Sequence, residues 1–593
     1  MKVLAVTLER CSGCALFIDD KIVFSSSEER YTKKKSDSLF PENSIKHALE
    51  YCNVNPDELD HVLICGNKLS LIPSIMREYS TFTVDDQLRA MKEYWYPKLI
   101  ENKDISFVEL FKNKINLEHY PFNTEWGGKF DYFSLENPYS IDDEKKVSEF
   151  FITTISSFLN IEKSKISHVE HDTCHASYAL YGSPIRERNT LVVTADAWGD
   201  DLSATISIFD GEKINRVKEY NHKDFQLARI YRYTTLVLRM LANEHEYKVM
   251  GLAPYHNSKK TIEVEEVLNN IQSIDGIEFS FNSDVKDIFY YLDENLKKFR
   301  FDQIASGLQS FTEKLLTKWF SNMSMKFNSS SIVYSGGISM NVKANLVISK
   351  IPQIEKFFVC GAGTDETLPI GACYHQAVLS QISPKPLNDL YLGDNASYTE
   401  NELTQMENIK STNFDSTDQI LDHLLENKII GICRGRMEMG QRALGNRSII
   451  CDPRNIRNVE KINDSIKNRD FWMPFAPIIL DEYQDILIDN PKKIESPHMT
   501  IAFETKNGKE LIPASVHRSD GTARAQLLKK SVNPELWNLI YSFYEKTGIP
   551  AILNTSLNLH GYPIVRTIAD AMHVFQNSKL DLLWLENHII EKN

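Results

Sequence analysis

Apolar and polar residues over the first thirty positions fall into three short runs separated by polar breaks. Lys2-Val-Leu-Ala-Val-Thr, Ser12-Gly-Cys-Ala-Leu-Phe-Ile and Lys21-Ile-Val-Phe-Ser-Ser read as strands, with Asp19-Asp20 turning the second into the third. Residues 190–220 repeat the plan. Thr190-Leu-Val-Val-Thr-Ala-Asp, Ser203-Ala-Thr-Ile-Ser-Ile-Phe and Lys213-Ile-Asn-Arg-Val-Lys are its strands, and Asp210-Gly-Glu is its hairpin turn. Helical patterns follow the two copies around residues 41–52 and 228–242.

Such duplication is the plan of the actin-like ATPase fold, an α/β fold in which two related halves hold a nucleotide between them. Two unrelated hairpin units are the plain alternative. A third element favours the fold: Ser331-Ile-Val-Tyr-Ser-Gly-Gly-Ile-Ser-Met-Asn341 is a buried strand running into a glycine pair and then a helix. Gly336 and Gly337 would let backbone N–H groups approach a phosphate or adenosine near that helix's N-terminus, with Asn341 beside them.

Prolines cluster at Ile382-Ser-Pro-Lys-Pro-Leu, where the apolar periodicity stops. We therefore expect one domain over 1–383 and a second α/β domain over 384–593. Residues 69–145, rich in aromatic and charged side chains but without a chemical motif, read as a helical insertion in the first. In the second, the strand Lys428-Ile-Ile-Gly-Ile-Cys-Arg434 leads into a glycine-rich stretch ending at Ser448. It brings Arg434, Arg436, Arg442 and Arg447 within fifteen residues. With Lys467-Asn-Arg469, Arg524 and Asn554-Thr-Ser-Leu-Asn558, this predicts an anion-binding surface for phosphate or nucleotide.

Composition narrows the classes. The 593 residues carry 81 acidic against 67 basic side chains, a formal charge of −14, which argues against nucleic acid as partner. No apolar run approaches membrane-spanning length, and the N-terminal Met1-Lys-Val-Leu-Ala-Val is too short for a signal sequence. Nine cysteines predict reduced thiols and a cytoplasmic protein. Cys11 and Cys14 form a lone C-x-x-C and read as buried thiols.

His171-Asp-Thr-Cys-His175, if helical, sets two imidazoles on one face one turn apart. Asp196 stands at the end of the run Leu191-Val-Val-Thr-Ala, and Asp365 follows the run Phe357-Phe-Val-Cys. Two His and two Asp suit Fe(II), Mn(II) or Zn(II), although the H-x-x-x-H spacing alone is weak evidence.

The chain resembles the O-carbamoyltransferases of the nodulation and antibiotic-tailoring type, almost from end to end. The motifs that carry this are Ser27-Glu-Glu-Arg-Tyr-Thr-Lys-Lys-Lys35, the His171–His175 pair, Lys248-Val-Met-Gly-Leu-Ala-Pro254 and Ser335-Gly-Gly-Ile-Ser-Met-Asn341. They continue with Gly440-Gln-Arg-Ala-Leu-Gly-Asn-Arg-Ser448, Lys467-x-Arg469 with Trp472-x-Pro-Phe-Ala-Pro477, Asp520-Gly-Thr-Ala-Arg524 and Asn554-Thr-Ser-Leu-Asn558. The resemblance implies an actin-like N-terminal domain similar to the tRNA threonylcarbamoyl-transfer protein. It implies a C-terminal domain similar to threonylcarbamoyl-adenylate synthase (YrdC-like).

It further implies that carbamoyl phosphate and ATP, with Mg(II), give carbamoyl adenylate in the C-terminal domain. An acceptor hydroxyl of a sugar, glycan or secondary metabolite then takes the carbamoyl group in the N-terminal one. Family signatures put Lys467, Arg469, Ser556 and Asn558 on the phosphates and adenylate, with Arg442, Arg447, Ser448 and Arg524 as further anion contacts. They put the metal, Fe(II) or Mn(II), on His171, His175, Asp196 and Asp365. His175 and Lys248 join Lys467 and Arg469 as catalytic candidates. A homo-oligomer is left open.

One departure stands out. The family's usual His-Asp pair after the first strand falls on Arg10 and Cys11, and an arginine cannot readily act as a base. His245 and Glu246 are substitute candidates. A metal-dependent hydrolase or a small-molecule kinase on the same fold remains the alternative function.

Overall fold

The computed structural model describes residues 1–69, 82–114, 123–124, 128–129, 141–396, 409–413 and 417–592. Much of the expected insertion over 69–145 lies outside the described residues.

The first repeat comprises strands β1 (Lys2–Thr7), β2 (Gly13–Ile18) and β3 (Lys21–Ser27), helix α1 (Glu42–Tyr51), β4 (His61–Cys65), β5 (Ile166–Val169) and helix α2 (His171–Tyr181). The second comprises β6 (Leu191–Gly199), β7 (Leu202–Phe209), β8 (Ile214–Asn221), helices α3 (Leu227–Val237), α4 (Glu246–Leu252) and α5 (Phe301–Phe327), then β9 (Ser331–Ser335), α6 (Val342–Ser349), β10 (Lys356–Val359) and α7 (Leu368–Leu379). The sheets are ordered β3-β2-β1-β4-β5 and β8-β7-β6-β9-β10. In each, the first three strands are antiparallel and the last two join the first in parallel. The duplicated hairpins in the sequence are thus two copies of one mixed α/β unit.

Helices α2 and α7 press together between the sheets. A Cβ at Gly371 would fall 1.9 Å from the Cys174 carbonyl oxygen, so only glycine allows this approach. Burial follows the strand pattern. Val3 to Val6 of β1 and Ile332 to Tyr334 of β9 have no exposed surface, as expected for central strands covered on both faces.

Three two-stranded sheets aside, the other strands are β11 (Ile409–Asn413), β12 (Ile430–Cys433), β13 (Arg447–Cys451), β14 (Ala476–Leu480), β15 (Gln526–Leu528), β16 (Ala551–Ser556), β17 (Leu582–Leu585) and β18 (His588–Lys592). They form one sheet in the order β11-β18-β17-β12-β13-β16-β14-β15. One hydrophobic core runs from Val3 of the first sheet to Trp584 of this one, so the two halves of the chain are packed together rather than tethered. All nine cysteines are free thiols, and Cys14 is buried in β2. No helix among the described residues is long and apolar enough to cross a membrane.

Candidate active site

The H-x-x-x-H segment is helical, as its spacing requires: His171 opens α2 and His175 lies one turn on. Their Nε2 atoms are 3.1 Å apart. Asp196 Oδ2 lies 3.4 Å from His175 Nε2, and Asp365 Oδ1 lies 3.7 Å from His175 Nε2 and 3.6 Å from His171 Nε2. One donor atom from each residue falls within a 4.8 Å cluster. Bonds of about 2.0–2.2 Å to a single ion set neighbouring donors about 3.0–3.5 Å apart. The two imidazoles and two carboxylates therefore fit a divalent ion.

Backbone geometry aims these donors. β6 does not end at Asp196, as its apolar run predicts, but continues through a bulge to Gly199. The bulge turns Asp196 toward α2, where the Gly337 N–H donates to Oδ2 at 2.9 Å. Gly199 is bare for a reason: a Cβ there would stand 2.2 Å from His171 Cδ2. Asp200 Oδ2 accepts from the His171 backbone N–H at 2.9 Å, fixing the start of α2. The cluster attracts positive charge. Burial opposes a charged ring, yet Asp196 and Asp365 raise His175 to about 10. Asp196 is held low by His175 despite its own burial.

A second site lies in the C-terminal half. Lys467 is 3% exposed, and its Nζ donates to Ser556 O at 2.5 Å, to Ser556 Oγ at 3.1 Å and to Asn558 O at 3.1 Å, with Asn558 Oδ1 closest of all. Burial, then Arg469 and Lys35, push this ammonium well below the usual lysine range. Burial also lowers Arg469, Arg442 (to about 10, with Arg469 adding to the effect) and Arg524, which feels both other arginines. The Nε atoms of Arg442 and Arg524 are buried and, among the described residues, have no hydrogen-bond partner. Among the described residues no carboxylate forms an ion pair with any of the three guanidinium groups. Three half-buried guanidinium groups that repel one another and, among the described residues, lack carboxylate partners make this a candidate anion pocket.

The four arginines before Ser448 part company here. Arg442 alone enters the pocket. Arg447 is a correction to the expected anion contact: it has no exposed surface, and its guanidinium donates to the carbonyls of Arg566, Arg434, Asn446 and Gly435. Arg434 pairs with Glu535 and stacks 4.3 Å over Trp584. Arg436 donates to the carbonyls of Gly393, Val23 and Leu392. Ser448 Oγ accepts from the Gly445 N–H, a turn contact. Glu438, missed in the sequence, organises this loop: Oε1 accepts backbone N–H groups from Leu444, Asn446 and Arg447 at 2.8, 2.8 and 3.1 Å.

Other expected residues hold structural contacts as well. Asn341 Oδ1 caps α6 through the Ala344 N–H at 3.0 Å and its amide exchanges bonds with Gln309. Gly336 packs on β6, where a Cβ would meet Ala195 O at 2.3 Å, and Gly337 faces Asp196. The Lys248 ammonium lies 3.0 Å from Asp470. Arg10 donates to Asn243 O and sits 3.8 Å from Glu244. His245 Nδ1 accepts from the Leu241 N–H at 3.1 Å, which places the neutral ring's proton on Nε2 and leaves it no free lone pair. Glu246 accepts from Asn243 N–H at 2.6 Å, and burial raises its carboxyl above the usual range. As a base, Glu246 is better equipped than His245.

The segments that carry the two sites touch each other. A Cβ at Gly440 (φ 98°) would meet Ala362 Cβ at 2.4 Å, and Gln441 Nε2 donates to Thr364 Oγ1 at 3.2 Å. Asp365 and Arg442 follow directly in their respective segments. Arg30, buried in the first half, donates to Gly440 O at 2.6 Å and Ile564 O at 3.0 Å. Between the sites, burial and then Glu29 push Glu366 up to about 8.

Residues 3–374 match the family model described as Carbamoyltransferase N-terminus, and residues 421–592 the one described as Carbamoyltransferase C-terminus. The chain is 31% identical to an uncharacterized protein of Methanocaldococcus jannaschii over 98% of both chains. It is 28% identical to nodulation protein NolNO of Sinorhizobium fredii, covering 73% of this chain and 65% of that one. It is 25% identical to 3'-hydroxymethylcephem-O-carbamoyltransferase of Amycolatopsis lactamdurans, covering 45% of this chain and 50% of that one.

Proposed function

The chain belongs to the carbamoyltransferase family, and on that premise we propose that it is an ATP-dependent O-carbamoyltransferase working in two steps at two sites. The observation that carries this reading is the anion pocket of Lys467, Arg442, Arg469 and Arg524, beside but separate from the His171–His175–Asp196–Asp365 cluster.

Carbamoyl phosphate first loses its phosphate to water, leaving carbamate. A carbamate oxygen then attacks the α-phosphorus of ATP, and pyrophosphate leaves. Lys467 and the three arginines neutralise the charge on the transferring phosphates, aided by Mg(II) carried with ATP. The arginines' lack of carboxylate partners matters here, because each guanidinium N–H left unpaired is available to a phosphate oxygen. Ser556 and Asn558 hold the Lys467 ammonium in place.

Carbamoyl adenylate hydrolyses in bulk water, so the second step requires a short protected route. The Gly440–Ala362 contact supplies the proximity. At the four-residue cluster the acceptor hydroxyl attacks the carbamoyl carbon, AMP leaves, and Glu246 takes the hydroxyl proton. A divalent ion there, Fe(II) or Mn(II) in our reading, would act as a Lewis acid toward the carbonyl. We assign the first activity to a YrdC-like domain over 384–593 and the second to an actin-like domain over 1–383. The acceptor class is a hydroxyl-bearing sugar or metabolite.

Purified protein incubated with ATP and carbamoyl phosphate, without acceptor, tests the reading. Pyrophosphate release that depends on carbamoyl phosphate is expected. ADP formation instead would move the assignment to a kinase.

A further inference from the structure

Helix α4 meets the C-terminal half along one face. Lys248 Nζ lies 3.0 Å from Asp470 Oδ2, while the Lys248 carbonyl accepts from Trp472 Nε1 at 3.1 Å. One turn on, a Cβ at Gly251 would stand 2.8 Å from Met473 Sδ, and the Gly251 carbonyl is 2.7 Å from His517 Nε2. Ser519 Oγ donates to Pro254 O at 2.6 Å, and Lys343 of α6 reaches Asp520 Oδ2 at 2.6 Å. All these contacts fall on the two C-terminal segments that carry Arg469 and Arg524.

The first of those segments has little regular structure of its own. Residues Asn463–Lys467 form a single π turn, Asn468 stands at φ 43°, and no strand begins until β14 at Ala476. The Arg469 guanidinium has Phe475 at 5.1 Å and, among the described residues, no ion pair. Its direction is therefore set by what holds its flanks. On one side Lys467 is anchored on Ser556 and Asn558; on the other, Asp470 is held by Lys248 from the opposite half of the molecule.

We propose that Lys248 is a positioning residue: its ion pair with Asp470 lets the N-terminal half hold Arg469 in the anion pocket of the C-terminal half. This rests on the reading of that pocket as the adenylate-forming site. The pocket is then complete only while the halves are docked, which couples adenylate formation to the closed route the intermediate needs. A lysine acting in the chemistry would present its ammonium to substrate, whereas this one is engaged by a carboxylate. The pair is partly exposed, 21% at Lys248 and 31% at Asp470, so it adds little to fold stability. A loss of binding is thereby separable from unfolding.

The test uses the full chain. Pyrophosphate binding is measured by calorimetry, and carbamoyl-phosphate-dependent pyrophosphate release by steady-state kinetics. K248M and D470N are each expected to weaken pyrophosphate binding roughly tenfold and to raise the KM for ATP similarly, with kcat kept within about threefold. K248R should restore most of the affinity, and the K248M/D470N double variant should be no worse than either single one. Unchanged affinity and KM in folded K248M would overturn the proposal. So would a fall in kcat at constant KM, which would return Lys248 to the chemistry. If K248M does not fold, D470N and K248R carry the comparison. A wild-type protein that releases no pyrophosphate refutes the adenylate reading, while the pyrophosphate affinities still decide the role of Lys248.

Discussion

Lys467 donates to the carbonyl of Ser556 at 2.5 Å, joining two segments 89 residues apart in sequence. The contact buries an ammonium beside Arg469, and burial and that neighbour together depress it. Such a group is costly to the fold and is stabilised when an anion arrives.

Lys467→Ala and Arg469→Ala should therefore each lower carbamoyl-phosphate-dependent pyrophosphate release by about 10²-fold or more. His175→Ala should leave that release within about threefold of wild type while abolishing transfer to an acceptor. Measuring both activities on the same preparations checks this. If His175→Ala lost both together, the separation into two sites would be wrong.

Metal content gives an independent reading of the cluster. Wild-type protein reconstituted with Fe(II) or Mn(II) and desalted is expected to retain about one ion per chain. Asp196→Asn and His175→Ala should retain far less, as measured by elemental analysis. Because His175 and Asp196 also pair with each other, both variants should unfold below wild type even without metal, so retention is compared at a temperature where all three are folded. Equal retention by the variants would remove these residues as ligands.

How far the sequence foretold the structure depends on the range of each interaction. The strands of both repeats were legible because hairpin strands alternate with polar turns only a few residues apart, as at Asp19-Asp20 and Asp210-Gly. The His171–His175 pairing was legible for the same reason: a helical turn is a local rule. The bulge that carries β6 past Asp196 to Gly199 was not, because its cause is the packing of Gly199 against His171, set by tertiary contact. Arg442 and Arg447 were indistinguishable as types. What separates them is that Arg447 begins a buried strand within reach of four backbone carbonyls, while Arg442 sits in the loop against the other half.

That difference predicts opposite stability effects. Arg447→Ala would strand the carbonyls of Arg434 and Arg566 in a buried site, while those of Asn446 and Gly435 keep the Arg434 and Ala396 N–H groups, at a cost of about 3 kcal/mol or more. Arg442→Met removes a cation already repelled by Arg469 and should leave stability unchanged or raised, while weakening pyrophosphate binding. Urea unfolding of the two variants decides it. Comparable destabilisation by both would contradict the assignment of Arg442 to the pocket.

His498 should set part of the acid limit of the fold. It is 5% exposed, neither ring nitrogen has a hydrogen-bond partner among the described residues, and burial pulls it down to about 4. An unfolded histidine binds its proton near pH 6.5, so between about pH 6.5 and 4 the unfolded chain carries a proton that the folded chain refuses. Stability therefore falls as pH drops through this window, by up to about 3 kcal/mol from this residue, and is unaffected by it above pH 7. His498→Leu removes both unpartnered nitrogens and the proton linkage together. It should match or exceed wild-type stability at pH 7 and lose less on acidification to pH 4.5, read from denaturant midpoints at the two pH values. An identical acid slope in both proteins would show that His498 takes up its proton without unfolding.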